Sequence, residues 1–484
     1  MKTFWSSFSR WCAGILPGAL VLMLFAVSQG QQKEEKFRVA TGPTRRVLVI
    51  SLDGLDAGYL QKRDAYALKI PTLRRLMAAG AMARGVTSVY PSVTYPAHTS
   101  IVTGAFPARH GINANELFEP PDATQTGAWH WFAREIRVET LWDAAARKGL
   151  KVGMVSWPVG GGAGDYNVPE ILAFGKPLPE TLALMKANQR PRGLIEEVEK
   201  SDPQLYRRAS KDEQDDMRTR FAEYIIAEKR PAVMLVHLFD LDHFQHDYGP
   251  LTPEAFAMLE KSDAYVAHLL AAAERAGTLS ETAVFIVSDH GFLPVSRQVH
   301  PGVILARAGL IRLREERNDE GRVRAAVTDW HAFPVITGGS CAIILRDPLD
   351  RETLKKVRQL FRPSRSSADA QALERETGIR RMLEAKEIRA LGADPKAALM
   401  LEAADGYSFG KNLTGRIITA NEQRGQHGYL PTRPGYDASF VASGAGITRR
   451  GDLGRIRMID IGPTIAATLG LQLGAAEGRV LQVR

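Results

Sequence analysis

Cysteine is nearly absent: the 484 residues include two, Cys12 and Cys341. Cys12 falls in a segment read below as an export signal, so the processed chain keeps one thiol and has no internal disulfide. The fold must then be held by its core or by bound metal. Beyond the N-terminus no run is long and apolar enough to offer a second bilayer span. There is no concentrated basic tract with interleaved aromatics, which argues against specific nucleic-acid binding. Internal repeats and extended low-complexity tracts are also lacking, which excludes solenoids and linker-rich chains.

The charge excess is mild, with 63 Lys+Arg against 54 Asp+Glu and a formal +9. It favours anionic substrates or an anionic surface without establishing either. Apolar residues make up 45% and charged residues 24%, ordinary for a globular protein with a sizeable core. At the N-terminus Lys2 and Arg10 precede an apolar run from Trp11 to Val27. A basic start, a short apolar middle and the small-x-small Ala26-Val27-Ser28 describe a secretory signal. The expected product is exported, periplasmic or secreted, with 1–28 as signal and 29–44 as linker. A retained membrane anchor is the alternative, although the run falls short of the roughly 20 residues a span needs.

The rest of the chain alternates between two patterns. Residues 45–53 (RRVLVISLD), 151–156 (KVGMVS), 232–238 (AVMLVHL) and 283–288 (AVFIVS) are β-branched, apolar and short, as buried parallel strands are. Helical stretches are expected at 71–80, where proline opens and glycine closes, and at 138–149, 253–277 and 460–470. Strands alternating with helices predict an α/β fold with a mostly parallel central sheet flanked by helices. After His300 the composition becomes more polar, with a charge-rich 312–326, a strand-like 341–345 and a helical 350–381. Core-like sequence returns near Tyr436–Ser443. The expected organisation is a core of 45–299 and 421–484, interrupted by an inserted α+β subdomain at 300–420.

Acids and histidines cluster where the strands end. Asp53 closes the first strand. Asp242 and His246 follow AVMLVHL, Asp289 and His290 follow AVFIVS, and His427 lies in GQHGY. Ligands of open α/β sheets bind beyond the carboxyl ends of strands, so these loops would gather distant residues. Three acids and three histidines are a donor set suited to zinc, and enough for two ions that share a phosphate. Taken singly each has a plainer explanation. Asp53 could cap a turn, and Asp242 with His246 could be a surface ion pair. The conjunction is what points to chemistry.

A nucleophile is on offer at Thr94, in YPSVTYPAHTSIVTG at 90–104, where a helix-like run follows from Ala97. A hydroxyl near a helix start gains from the amide dipoles, which also favour phosphate. Metal coordination would lower its pKa. Asn115, in RHGINANELFEP, could donate its amide to a phosphate oxygen, with Asn113 as the alternative. Tyr95 could floor a substrate ring by stacking or serve as ordinary packing.

These segments, in this order, resemble the nucleotide pyrophosphatase/phosphodiesterase branch of the alkaline phosphatase superfamily. The matching pieces are VLVISLDGL, YPSVTYPAHTSIVTG, HGINAN, DHFQHDYGP, SDHGF and HGY. The resemblance implies two zinc ions, one held by Asp242, His246 and His427, the other by Asp53, Asp289 and His290 with Thr94. It implies that Thr94 attacks phosphorus, that Asn115 contacts the phosphate, and that water releases a phospho-threonine. The stretch MVSWPVGG at 154–161 has no Lys or Arg to grip a monoester, and its Trp157-Pro158 resembles the diesterases. Trp157 thus joins Tyr95 as a substrate-contact candidate. The expected substrate is a small phosphodiester, nucleotide-like or a lipid headgroup, with a monoester as runner-up. An inactive binding protein should have lost ligands, and all six are present. Two positions depart from the family, which often has tyrosine and proline where this chain has His237 and Leu241.

Overall fold

Uncharged β-branched runs build the middle of the molecule. In the computed structural model, which describes residues 45–123, 127–173, 176–210, 213–317, 323–362 and 377–484, five strands pair in parallel. Their order is Thr282–Val287, Arg46–Leu52, Val233–Leu238, Val152–Val155, Tyr166–Val168. Phe440–Gly444 then adds antiparallel to Thr282–Val287, and Ala81–Met82 and Gly451–Asp452 complete an eight-stranded sheet. The strands are buried on both faces, which is why their sequences show apolar runs instead of alternation. On one face Val47, Val49, Leu235 and Phe285 meet Ile101, Leu141 and Ile465, from helices Thr94–Thr103, Leu141–Arg147 and Ile461–Thr468. Helices Pro71–Ala79, Asp215–Tyr224 and Pro253–Arg275 cover the other. The mostly parallel sheet flanked by helices is the fold expected from the sequence. Residues 1–28 and 29–44, read as signal and linker, lie outside the described residues, and the described residues form one compact unit.

Within 300–420 a second, antiparallel sheet has the order Ala332–Thr337, Ser340–Leu345, Ala397–Ala403, Ile379–Leu383. The charge-rich stretch forms a hairpin, Ile311–Arg317 with Val323–Trp330. Leu293–Val299 pairs with Gly406–Phe409, Ile418–Ala420 and Gly425–Gln426, bringing the chain back toward the main sheet. The expected helical 350–381 is a helix only at Arg351–Phe361 and a strand from Ile379, with 363–376 outside the described residues.

Two local differences matter for the site. The helix expected from Ala97 begins at Thr94. Pro96 sits in its first turn, where the missing N–H costs no helical bond. The Asp242–His246 segment, read as a loop, is helix Asp240–Tyr248. Its start is fixed by reciprocal capping. Asp215 accepts from the N–H groups of Phe239 and Asp240, and Asp240 accepts from those of Gln214 and Asp215, with buried Arg218 between the two carboxylates.

Candidate active site

Asp53 follows Leu52 at the end of the central strand and is buried. Gly54 turns the chain with φ +69°. A Cβ there would lie 2.8 Å from the Phe292 ring and 2.9 Å from the Gln245 amide, so both conformation and space require glycine. Its N–H donates to Asp289 Oδ1 at 3.1 Å, drawing together the ends of two neighbouring strands. Helix Asp240–Tyr248 places Asp242 and His246 one turn apart on one face, with His246 Nε2 3.5 Å from Asp242 Oδ2. His427 arrives on the returning chain, and Gly428 (φ +90°) lets it pass close to the antiparallel sheet, where a Cβ would meet Thr337 O at 2.0 Å.

The three histidines share one arrangement. Nδ1 of His246 lies 3.0 Å from Gly425 O, Nδ1 of His290 3.3 Å from Gly291 O, and Nδ1 of His427 3.4 Å from Ser92 O. Each Nδ1 donates to a carbonyl, which leaves Nε2 as the ring atom turned to the site, as metal-binding imidazoles require. The rings of His290 and His427 stack at 3.7 Å. Their Nε2 atoms lie 3.9 and 3.7 Å from Asp242 Oδ1. His290 Nε2 is also 3.3 Å from Asp53 Oδ1 and 3.0 Å from Asp289 Oδ2. Two donor groups result, Asp242–His290–His427 and Asp53–Asp289–His290, meeting at His290.

These atoms fit cations. Asp53 Oδ1, Asp242 Oδ1, Asp289 Oδ2 and His290 Nε2 are buried with no hydrogen-bond partner among the described residues, a costly state unless a metal takes their place. Burial, with Asp289 and Asp242 close by, pushes the Asp53 carboxyl well above its ordinary range. Burial, with His290 and His246 beside it, holds His427 neutral, well below the usual imidazole range. For His290 burial opposes charge, but Asp289 outweighs it and raises the imidazole to about 9. A divalent cation would relieve the crowding of three carboxylates.

Thr94 is the first residue of its helix and the only one of the ten not buried. Asn115 Oδ1 accepts the Tyr95 N–H at 2.9 Å, filling one first-turn donor. With its oxygen so engaged, the amide has Nδ2 left to donate. Residues 115–117 pair with 128–130 through His130 N–H to Asn115 O at 3.0 Å and Leu117 N–H to Ala128 O at 2.8 Å. Of the residues named from sequence, this site gathers Asp53, Thr94, Asn115, Asp242, His246, Asp289, His290 and His427.

A family model described as type I phosphodiesterase / nucleotide pyrophosphatase matches residues 47–430. The chain belongs to that family. Human ectonucleotide pyrophosphatase/phosphodiesterase family member 1 is 26% identical over 263 residues, 52% of this chain. An uncharacterised pyrophosphatase/phosphodiesterase of Schizosaccharomyces pombe is 25% identical over 262 residues. The chain spans 24% of the human protein's length and 45% of the yeast protein's. Among solved structures, human ectonucleotide pyrophosphatase/phosphodiesterase 5 superposes with a TM-score of 0.60 at 17% identity, covering 90% of this chain and 97% of that one. The murine counterpart, an inactive threonine-to-alanine variant in complex with AMP, matches with the same score at 18% identity.

In this phosphodiesterase-family chain a cavity of about 700 Å³ opens beside the site, lined by Val93, Asn115, His246 and His427. Further walls come from residues 116–119 and Trp129, and from residues 333–338 with Phe409, Gly410, Lys411 and Leu413. Tyr95 and Trp157, expected as substrate contacts, do not line it. Each is 1% exposed. The Tyr95 hydroxyl donates to Glu170 at 2.9 Å and its ring packs under Trp129 and Trp131, while Trp157 packs against His98. The aromatics that line the cavity are Trp129, Phe118, Phe333 and Phe409. The signal available in the sequence was the alternation Trp129-His130-Trp131 shortly after Asn115, which puts two tryptophans on one side of an extended segment. Lys411 was missed too. It binds Glu116 at 2.6 Å across the cavity mouth.

Proposed function

We propose that this chain is an exported, zinc-dependent phosphodiesterase of the nucleotide pyrophosphatase type, working through a phospho-threonine. The observation that carries the reading is the convergence of partnerless carboxylate and imidazole atoms on one spot, to which the helix start at Thr94 is tied by His98, whose Nδ1 lies 2.8 Å from Thr94 O and 3.7 Å from Asp289 Oδ2. Asp242, His246 and His427 would hold one zinc ion, and Asp53, Asp289 and His290 the other. Bound there, the ions supply Lewis acidity toward a phosphoryl oxygen and toward the Thr94 hydroxyl. Thr94 Oγ1 forms the bond to phosphorus as the bond to the leaving oxygen breaks. Asn115 Nδ2 meets a non-bridging oxygen, where charge develops. Water then cleaves the phospho-threonine. Residues 300–420 act as an insert that walls the substrate cavity.

A diester is favoured over a monoester by the cavity's charges. Among the described residues Lys411 is the one Lys or Arg lining it, and Glu116 already neutralises it. A dianionic monoester would find no spare Lys or Arg in that lining. Nucleotide-like and lipid-headgroup diesters both offer an apolar or aromatic part for Trp129, Phe333 and Phe409. Among the described residues no helix is long and apolar enough to cross a membrane.

The test compares bis-p-nitrophenyl phosphate and p-nitrophenyl phosphate as substrates of purified protein with zinc, alongside Thr94→Ala. Preference for the diester and an inactive variant uphold the reading. Faster turnover of the monoester, or a variant that keeps its activity, sinks it.

A further inference from the structure

The strand between Asp53 and the cavity-side helix ends in a buried imidazole that the catalytic reading leaves idle. His237 is 1% exposed. Its Nε2 lies 2.8 Å from Asp53 Oδ2, and its Nδ1 lies 2.8 Å from Glu170 Oε2 and 3.1 Å from Ser156 O. Carboxylate and carbonyl oxygens accept, so both ring nitrogens donate. Glu170 turns its other oxygen to the Tyr95 hydroxyl at 2.9 Å, and the Tyr95 N–H in turn donates to Asn115 Oδ1 at 2.9 Å. One series of hydrogen bonds thus runs from Asp53 to the first turn of the helix that carries Thr94. Beside it, His98 bonds Ser51 Oγ and Thr94 O, each at 2.8 Å.

Asp53, His98 and His237 also stand close enough to suggest a third cation group. Their ring nitrogens are all engaged, however, whereas Asp53 Oδ1, on the other side of the carboxylate, has no partner among the described residues. The two oxygens of Asp53 are therefore not equivalent. One is held by an imidazole that is itself held, and the other is presented to the site. This matters because an unclamped carboxylate can rotate between one-oxygen and two-oxygen binding, and partners behind a ligand orient it and tune its affinity.

We propose that His237, braced by Glu170, is a positioning residue that holds Asp53 Oδ2 so that Oδ1 alone is offered to a divalent cation, in fixed register with Thr94. This rests on the reading of Asp53 as a metal ligand. The position is one where the resembling family often has tyrosine, which has a single donor and cannot bridge two carboxylates.

Zinc is titrated into the metal-free full chain against a chromophoric chelator. The wild type is expected to bind two equivalents. His237→Gln should also bind two, one of them ten- to a hundredfold more weakly and the other within about threefold of the wild type. The double variant Glu170→Gln/His237→Gln restores a continuous amide relay and should recover most of the loss. A role confined to folding would weaken both equivalents together and show no such rescue. Unchanged affinities in His237→Gln overturn the proposal. So does loss of a whole equivalent without rescue, since His237 would then be a ligand. If His237→Gln fails to fold, Glu170→Gln must weaken the same single equivalent, and wild-type affinities there overturn the proposal. A wild type that binds no zinc removes the metal reading itself, a result separate from all of these.

Discussion

On the proposed function Asn115 carries two loads that can be separated by substitution. Its Oδ1 caps the helix of Thr94 by accepting the Tyr95 N–H at 2.9 Å, and its Nδ2 is the donor assigned to the phosphate. Asn115→Ala removes both. Loss of the cap costs about 1 kcal/mol, roughly 1 °C in Tm for a chain of this length. Loss of one donor to developing oxyanion charge costs about 2.7–4 kcal/mol of transition-state stabilisation, or 10²–10³ in kcat. Asn115→Asp keeps an oxygen for Tyr95 and adds a charge the helix N-terminus favours by about 0.3–1 kcal/mol. It also places an anion where the phosphate oxygens must sit. The aspartate variant should therefore be at least as stable as the wild type and lose at least as much activity as the alanine variant.

The assay pairs thermal unfolding with kcat and KM on bis-p-nitrophenyl phosphate for the three proteins. Stability and activity should part company in Asn115→Asp and fall together in Asn115→Ala. If Asn115→Asp turns over within tenfold of the wild type, Nδ2 is not the phosphate donor, and Asn115 is only a cap.

Further outcomes follow from the same geometry. Chelation should lower Tm, because Asp53, Asp242 and Asp289 are then left facing one another; free zinc at a hundred times its Kd contributes about 2.7 kcal/mol per site, and a scan unaffected by chelator would unlink metal from the fold. Trp129→Ala should raise KM severalfold for diesters with aromatic groups and leave that for bis-methyl phosphate nearly unchanged, a difference read from steady-state kinetics. Burial depresses the His110 imidazole to about 3, and its Nδ1 accepts the Ile112 N–H at 3.2 Å. Below the unfolded value near 6.5 the unfolded chain binds the proton and the folded chain does not, so stability falls by about 1.4 kcal/mol per pH unit from this group. His110→Asn keeps an acceptor and should lose about 2 kcal/mol less between pH 6.5 and 5 in denaturant titrations; equal acid sensitivity would discount the assignment.

The core strands were legible because a strand buried on both faces needs uninterrupted apolar residues, and few other elements share that pattern at that length. The acids after them were legible for a related reason: a charge closing such a run has to be accommodated by something. Asp53 and the Asp289-His290 pair stand out on that ground alone. The helix around Asp242 did not, because DLDHFQHDY has a weak apolar stripe and its start depends on Asp215, twenty-five residues earlier. The same limit hid Trp129. Its place beside Asn115 comes from pairing of 115–117 with 128–130, and the packing that buries Tyr95 beneath it cannot be read from either segment alone. The sequence reading put the Tyr95 ring toward the substrate, whereas the ring is buried beneath Trp129.

The proposed ligands and nucleophile come from strand ends and helix starts of the main sheet, whereas the cavity is shared between residues 114–119 with Trp129 and residues 333–338 with Phe409, Gly410, Lys411 and Leu413. The two sides are linked by exposed or half-exposed charges, Lys411 with Glu116 and Arg346 with Asp122, the latter carboxylate also accepting the Trp330 indole N–H at 3.0 Å. Ion pairs of that kind are individually worth about 0–1 kcal/mol, so the walls can shift without disturbing the buried donors. On the proposed function this separates two tasks. The buried sheet end fixes how phosphorus is attacked, and residues 333–338 and 409–413 choose what may hang from it. Substitutions in those two segments should therefore change KM between substrates far more than kcat on any one, while substitutions at strand ends should do the reverse.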